Sequence, residues 1–107
     1  MSDYLQVTTT ADNRDTAASL ARSAVAARLA GAALVSGPNT SFFWHNGEMG
    51  EGEEWQVTLR TTADRYSALE AHLLQEHPWD NPELTAISIV EAPEDYKAWL
   101  DKSVDER

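Results

Sequence analysis

Cysteine is absent from this sequence. That single absence removes disulfides, thiolate zinc sites, iron–sulfur clusters and cysteine nucleophiles together. Positive charge is scarce: eight Lys and Arg face 18 Asp and Glu, a formal charge of −10. A chain that acidic has no general attraction for nucleic acid or for an anionic membrane surface, so neither is expected as a partner. No apolar run approaches the roughly 20 residues that a membrane-spanning helix needs. The opening Met1-Ser2-Asp3-Tyr4 lacks the basic and apolar segments of a secretory leader. A cytoplasmic protein is expected. Catalytic signatures are also missing: there is no P-loop, dinucleotide-binding glycine pattern, nucleophile elbow or metalloprotease helix. The sequence requires no enzyme.

What is present suits one domain over residues 1–107, with 42% hydrophobic and 24% charged residues. Tyr4–Thr10 is a Thr-rich run with Leu5 and Val7 on one face, the pattern of a strand. Asp12 can cap a helix in which Ala17, Leu20, Ala21, Ala24, Val25 and Leu29 keep i, i+3, i+4 spacing, with Gly31 as its stop. So many alanines on one stripe predict close packing across a sheet. Ala32–Val35 breaks at Gly37-Pro38-Asn39, a loop by composition. Ser41–His45 and Glu54–Thr61 then read as a hairpin, joined by a Gly-rich acidic tip from Asn46 to Glu53. Trp55, Val57 and Leu59 alternate with Gln56, Thr58 and Arg60, so one face should be wet. Thr61 and Asp64 are expected to open the next helix, whose stripe is Tyr66, Leu69 and Leu73 and whose stop is His77-Pro78. Leu84–Glu91 is a further strand, and Pro93 starts a short helix through Tyr96, Trp99, Leu100 and Val104.

The order predicts an α+β, ferredoxin-like βαββαβ fold: an antiparallel sheet with two helices on one face, plus a short C-terminal helix. The opposite face, if apolar, should be buried between subunits.

These residues carry a resemblance. Ala27-Arg28-Leu29-Ala30, Thr40-Ser41-Phe42-Phe43, Gly47, Arg60-Thr61, His77-Pro78-Trp79, Pro82-Glu83-Leu84 and Tyr96-Lys97-Ala98-Trp99 follow in order. Together, over about residues 4–104, they resemble the CutA divalent-cation tolerance family. The resemblance implies a ferredoxin-like subunit in a tight homotrimer, similar in architecture to the PII signalling proteins. It also implies an association with tolerance of copper and other divalent cations, with no defined reaction. The chain departs from the family pattern at Ala32, where the family has Cys, at Phe43 for Tyr, at His45 for Trp, and at Glu48 for Lys. Loss of the one soft ligand weakens any copper(I) site.

Two functional readings follow. The first is a homotrimeric binding or signalling protein linked to divalent cations. The second is a derived enzyme or small-molecule binder, whose inter-subunit cleft would use His45, Arg60, His77, Trp79, Asp80 and Glu83. No cofactor is required, and no metal ligand set is assigned. A weak divalent-cation site is conceivable at His45 with Glu48, whereas Glu48, Glu51, Glu53 and Glu54 lack the order of an EF-hand loop. His72 and His77 are five apart on one helix, roughly 140° around it, and form no helical metal pair. His72 is expected at the surface. His77 is expected to satisfy helix-terminal carbonyls.

Overall fold

The computed structural model describes residues 3–105. Met1 and Ser2, half of the stretch read as leader-free, lie outside the described residues, as do Glu106 and Arg107. The elements are β1 (Tyr4–Ala11), α1 (Arg14–Ala26), β2 (Ala32–His45), β3 (Glu48–Thr62), α2 (Tyr66–Glu76), β4 (Leu84–Ser88) and α3 (Glu94–Ser103), with a short 3-10 turn (Ala63–Arg65) leading into α2. All strand pairs are antiparallel, in the order β2-β3-β1-β4. The expected α+β arrangement, a four-stranded sheet with three helices, is present.

The caps differ in detail from the sequence reading. Asn13, not Asp12, caps α1: its side-chain oxygen accepts from the Thr16 amide at 2.8 Å. The helix stops at Ala26 instead of running to Leu29. Arg28 takes the left-handed position (φ 58°) expected of Gly31. Leu29 N–H then donates to the Ala24 carbonyl and Arg28 N–H to that of Val25, a Schellman closure that folds Leu29 back into the core. Thr61 and Asp64 do not cap α2. Thr61 instead donates its hydroxyl to the Leu29 carbonyl at 2.7 Å, and Thr62 bonds to Asp64.

The core lies between α1, α2 and one sheet face. Val7 and Ala11 of β1 and Val57 and Leu59 of β3 meet Ala17, Leu20 and Ala24 of α1 and Leu69 and Leu73 of α2, all buried. The alanine stripe does what small side chains allow, letting α1 lie close on the strands. The other face carries Gln6, Thr8, Gln56, Thr58 and Arg60, because Gln6 pairs with Arg60 and Thr8 with Thr58. Its centre is polar, and its flanks carry two exposed apolar side chains, Leu34 across from Thr58 and Ile87 across from Gln6. One end of it is closed by α3. The Tyr4 hydroxyl donates to Asp101 at 2.8 Å, Arg28 donates to the Ser103 carbonyl at 3.1 Å, and Leu100 and Val104 are buried. The Asp101 hydrogen bond holds the Tyr4 phenol above its ordinary 10.0, with desolvation and nearby carboxylates adding to the effect.

The largest departure from expectation is β2–β3. The Gly37-Pro38 segment is a bulge inside one continuous strand, not a loop, since pairing resumes at Asn39 with Glu54. The acidic tip is strand too from Glu48 onward. Only Asn46 and Gly47 form the turn, both at positive φ (51° and 80°), as a two-residue hairpin of the primed type requires. Because β1 pairs with β3 only from Trp55 onward, residues 39–54 form a ribbon of two strands with no third strand beside it. The molecule extends 45 Å along its longest axis against 25 and 22 Å across. At the other edge, β4 ends at Ser88, short of the expected Glu91.

Candidate functional site

Where the ribbon leaves the sheet, its root faces the β1–α1 turn and the loop between α2 and β4. The groove between them has a volume of about 730 Å³. It is lined by Phe43, Trp44 and His45 of β2, Gly52, Glu53 and Glu54 of β3, Asp12, and Trp79, Asp80 and Asn81. Its character is aromatic and acidic. Phe43 is placed by Gly50, directly across the ribbon, where a Cβ would come within 2.5 Å of the ring.

Of the six residues expected at a cleft, His45, Trp79 and Asp80 line this groove. His77, Arg60 and Glu83 do not. Arg60 sits on the polar sheet face, paired with Gln6 and Ala32. Glu83 has an exposed side chain, while its carbonyl accepts the Thr9 hydroxyl at 2.7 Å.

His77 is buried, and both ring nitrogens are engaged. Nδ1 accepts from the Trp79 amide at 3.1 Å, so Nε2 carries the proton and donates to the Thr10 carbonyl at 2.7 Å. The expected role at helix-terminal carbonyls falls to its backbone, whose N–H donates to Leu73. The ring does something else: it ties β1 to the loop and holds Trp79 beside it, with ring centroids 4.9 Å apart. His77 therefore positions one wall of the groove.

His72 was expected at the surface, but it is half-buried between the helices, with Nε2 2.9 Å from the Ser23 hydroxyl. That hydroxyl donates to the Leu20 carbonyl, so the imidazole supplies the donor to Ser23. The polarity is opposite to the activation of a serine nucleophile, and the pair ties α1 to α2. No sequence spacing marks a contact 49 residues apart. Nearby, burial first and then the hydrogen bond to Glu70 push the Tyr66 phenol above its ordinary value.

His45 and Glu48 are cross-strand partners beside the turn, both exposed, and His45 Nε2 is 3.2 Å from the Asn46 amide nitrogen. Among the described residues, no group of three or more His, Asp or Glu converges to hold a metal ion. No helix among the described residues is long and apolar enough to cross a membrane.

With this geometry in hand, known proteins can be set beside it. The sequence profile described as "CutA1 divalent ion tolerance protein" matches residues 5–103. The Divalent-cation tolerance protein CutA of Pectobacterium atrosepticum is 31% identical over 103 residues, covering 95% of this chain and 93% of that protein. That of Escherichia coli is 33% identical over 95 residues, covering 89% and 85%. Among solved structures, CutA1 from Oryza sativa superposes with a TM-score of 0.93 at 25% identity, over 99% of this chain and 97% of that one. CutA from Synechococcus elongatus gives 0.92 at 28%, over 98% and 93%. Profile, relatives and fold agree over nearly the whole length, and the chain belongs to the CutA1 divalent ion tolerance protein family.

Proposed function

We propose that this protein acts in divalent-cation tolerance as a cytoplasmic homotrimer that binds or signals. The observation that carries the assembly is the ribbon of residues 39–54, which exposes Phe42 (63%) and Met49 (67%) on one face with no third strand beside it. A lone two-stranded ribbon is marginal in water, and exposed large apolar side chains on it call for a covering surface. The β4 side adds Ile87 and Val90, also exposed. Copies of the same chain supply both kinds of surface at once, and the family membership supports three of them. The absence of cysteine is compatible with a reducing compartment.

Cation binding in this reading is weak and follows ligand basicity, since no converging donor set among the described residues imposes a geometry. Calorimetry with Cu²⁺, Zn²⁺ and Mg²⁺ tests it. Cu²⁺ should bind best, at micromolar affinity, and His45→Ala should abolish that binding. Nanomolar, stoichiometric copper(I) binding would contradict it.

A second reading is favoured by the groove itself. A recess of this size, with aromatic and carboxylate walls, has the dimensions and mixed lining of a small-molecule site. Its test is a metabolite screen by thermal shift on wild type and His77→Asn, in which a true ligand stabilises the first and not the second.

A further inference from the structure

The two sides of the ribbon differ, and its register says how. Cross-strand partners share a face, so Thr40 with Glu53, Phe42 with Glu51 and Trp44 with Met49 lie on one side. That side exposes three large apolar side chains, Phe42 (63%), Trp44 (77%) and Met49 (67%), beside two exposed carboxylates, Glu51 and Glu53. Residues 39–54 contain no Lys or Arg to offset the charge. Two ribbons laid together on these sides would set Glu51 and Glu53 against their own copies, and burying unpaired like charges is costly. The covering surface is therefore a different part of another copy, one that offers apolar side chains and a cation.

The sheet face opposite α1 and α2 offers both. Arg60 pairs with Gln6 and Gln6 with Ile87 in one row across the strands, and Leu34 pairs with Thr58 in the next. Leu34 (56%) and Ile87 (62%) are exposed at the flanks, and Arg60 is the one charge in those rows. Within one chain, Arg60 stands seven residues from Glu53 on β3, roughly 23 Å along it and on the opposite face. The two meet only between copies. A flat two-stranded surface also packs better on a flat sheet than in the groove beside α1, where Arg22 accompanies Ala18 and Val25.

We infer that the Phe42 side of the ribbon docks on the Arg60 face of a neighbouring copy, with Glu51 and Glu53 against that guanidinium and the apolar side chains on Leu34 and Ile87. This rests on the homotrimer reading and gives it an interface. Ribbon and receiving face are different surfaces, so the contact runs head to tail. Each copy gives a ribbon and receives one, and the assembly closes as a ring instead of pairing about a twofold axis. Charge fixes the docking, and the apolar side chains supply the area removed from water.

The test is charge exchange, read by light scattering at micromolar concentration in low salt. Arg60→Glu sets a third carboxylate against Glu51 and Glu53. It should weaken association at least about tenfold, moving the mass from about 35 kDa, three chains, towards 11.8 kDa. Glu51→Arg with Glu53→Arg should do the same from the other side. The triple variant should recover association to within about threefold of wild type, which only direct apposition allows. Trp44 emission should shift to the red on each dissociation and return in the triple variant. Arg22→Glu is the control and should leave the mass unchanged. Circular dichroism checks the fold of each variant.

Wild type at 11.8 kDa would remove the homotrimer reading and this interface together. An associated wild type with Arg60→Glu equally associated, or with no recovery in the triple variant, leaves the homotrimer standing and overturns the interface. Dissociation by Arg22→Glu and not by Arg60→Glu would seat the ribbon beside α1 and overturn it as well. If Arg60→Glu fails to fold, the ribbon pair decides: unchanged mass in Glu51→Arg with Glu53→Arg overturns the interface, and dissociation supports it.

Discussion

The body of this molecule and its ribbon are built from one pair of strands and obey different rules. In β3, Val57 and Leu59 are fully buried under α1 and α2, whereas Met49, eight residues before Val57 on the same strand, is 67% exposed. In β2, Val35 packs against the core and Phe42 stands in solvent. The strand chemistry is alike in both halves: alternating side chains and continuous pairing. The difference is the neighbour. The body has β1 and two helices to cover it, and the ribbon has no third strand of its own chain beside it. An apolar side chain inside the body therefore contributes to folding, and one on the ribbon contributes to association.

Substitutions that separate the two contributions test this contrast. Leu59→Ala removes a wholly buried side chain at the centre of the core and should cost about 2–5 kcal/mol in urea unfolding. Phe42→Ser with Met49→Ser should do the reverse: little change in the far-ultraviolet spectrum, but a shift of mass towards the monomer. Each apolar side chain buried on association contributes about 1.5–3 kcal/mol. If the ribbon pair lowered monomer stability as Leu59→Ala does, the distinction would collapse.

The junction between the two regions gives a smaller effect. His77→Asn breaks a buried bridge between the Thr10 carbonyl and the Trp79 amide and should cost about 1–3 kcal/mol. It should also alter tryptophan emission, since Trp79 loses its partner. An unchanged spectrum would mean that the ring does not position the groove wall.

Much of the body was legible because its signals are local. Hydrophobic spacing found α1, α2 and α3, and alternation separated the two faces of β3 without saying which one the helices cover. The ribbon was not, and the reason is physical. Gly37-Pro38 and the stretch of Glu and Gly after Gly47 have loop composition, yet the partner strand overrides composition once Asn39 pairs with Glu54 and Ser41 with Gly52. Helix ends also moved, because Arg28 adopted a left-handed position that propensity assigns to glycine. At the groove, His45, Trp79 and Asp80 were picked out by sequence, whereas Asp12, Glu53 and Glu54 were not counted in it. Only the tertiary path of the ribbon brings those carboxylates to the loop after α2.

The smallest effect lies at the other end of the sheet. Tyr4 is tied to Asp101, and its phenol is raised above 10.0 chiefly by that bond. A group whose folded value is raised contributes fully below its unfolded value and loses that contribution as pH climbs through the folded one. Unfolding measured across pH 9 to 11 should therefore show an alkaline loss that begins near 10.0 and is diminished in Tyr4→Phe. An identical alkaline limb in both proteins would show that the Tyr4–Asp101 bond contributes nothing to holding α3.

The central claim, that the ribbon is completed by other copies of the chain, is tested most directly by mass in solution. Light scattering at micromolar concentration, in low salt and again in about 1 M NaCl, should report about 35 kDa, three chains of 11.8 kDa each. The value should not fall with salt, because ions screen an apolar contact little. A particle of 11.8 kDa under both conditions would contradict the account.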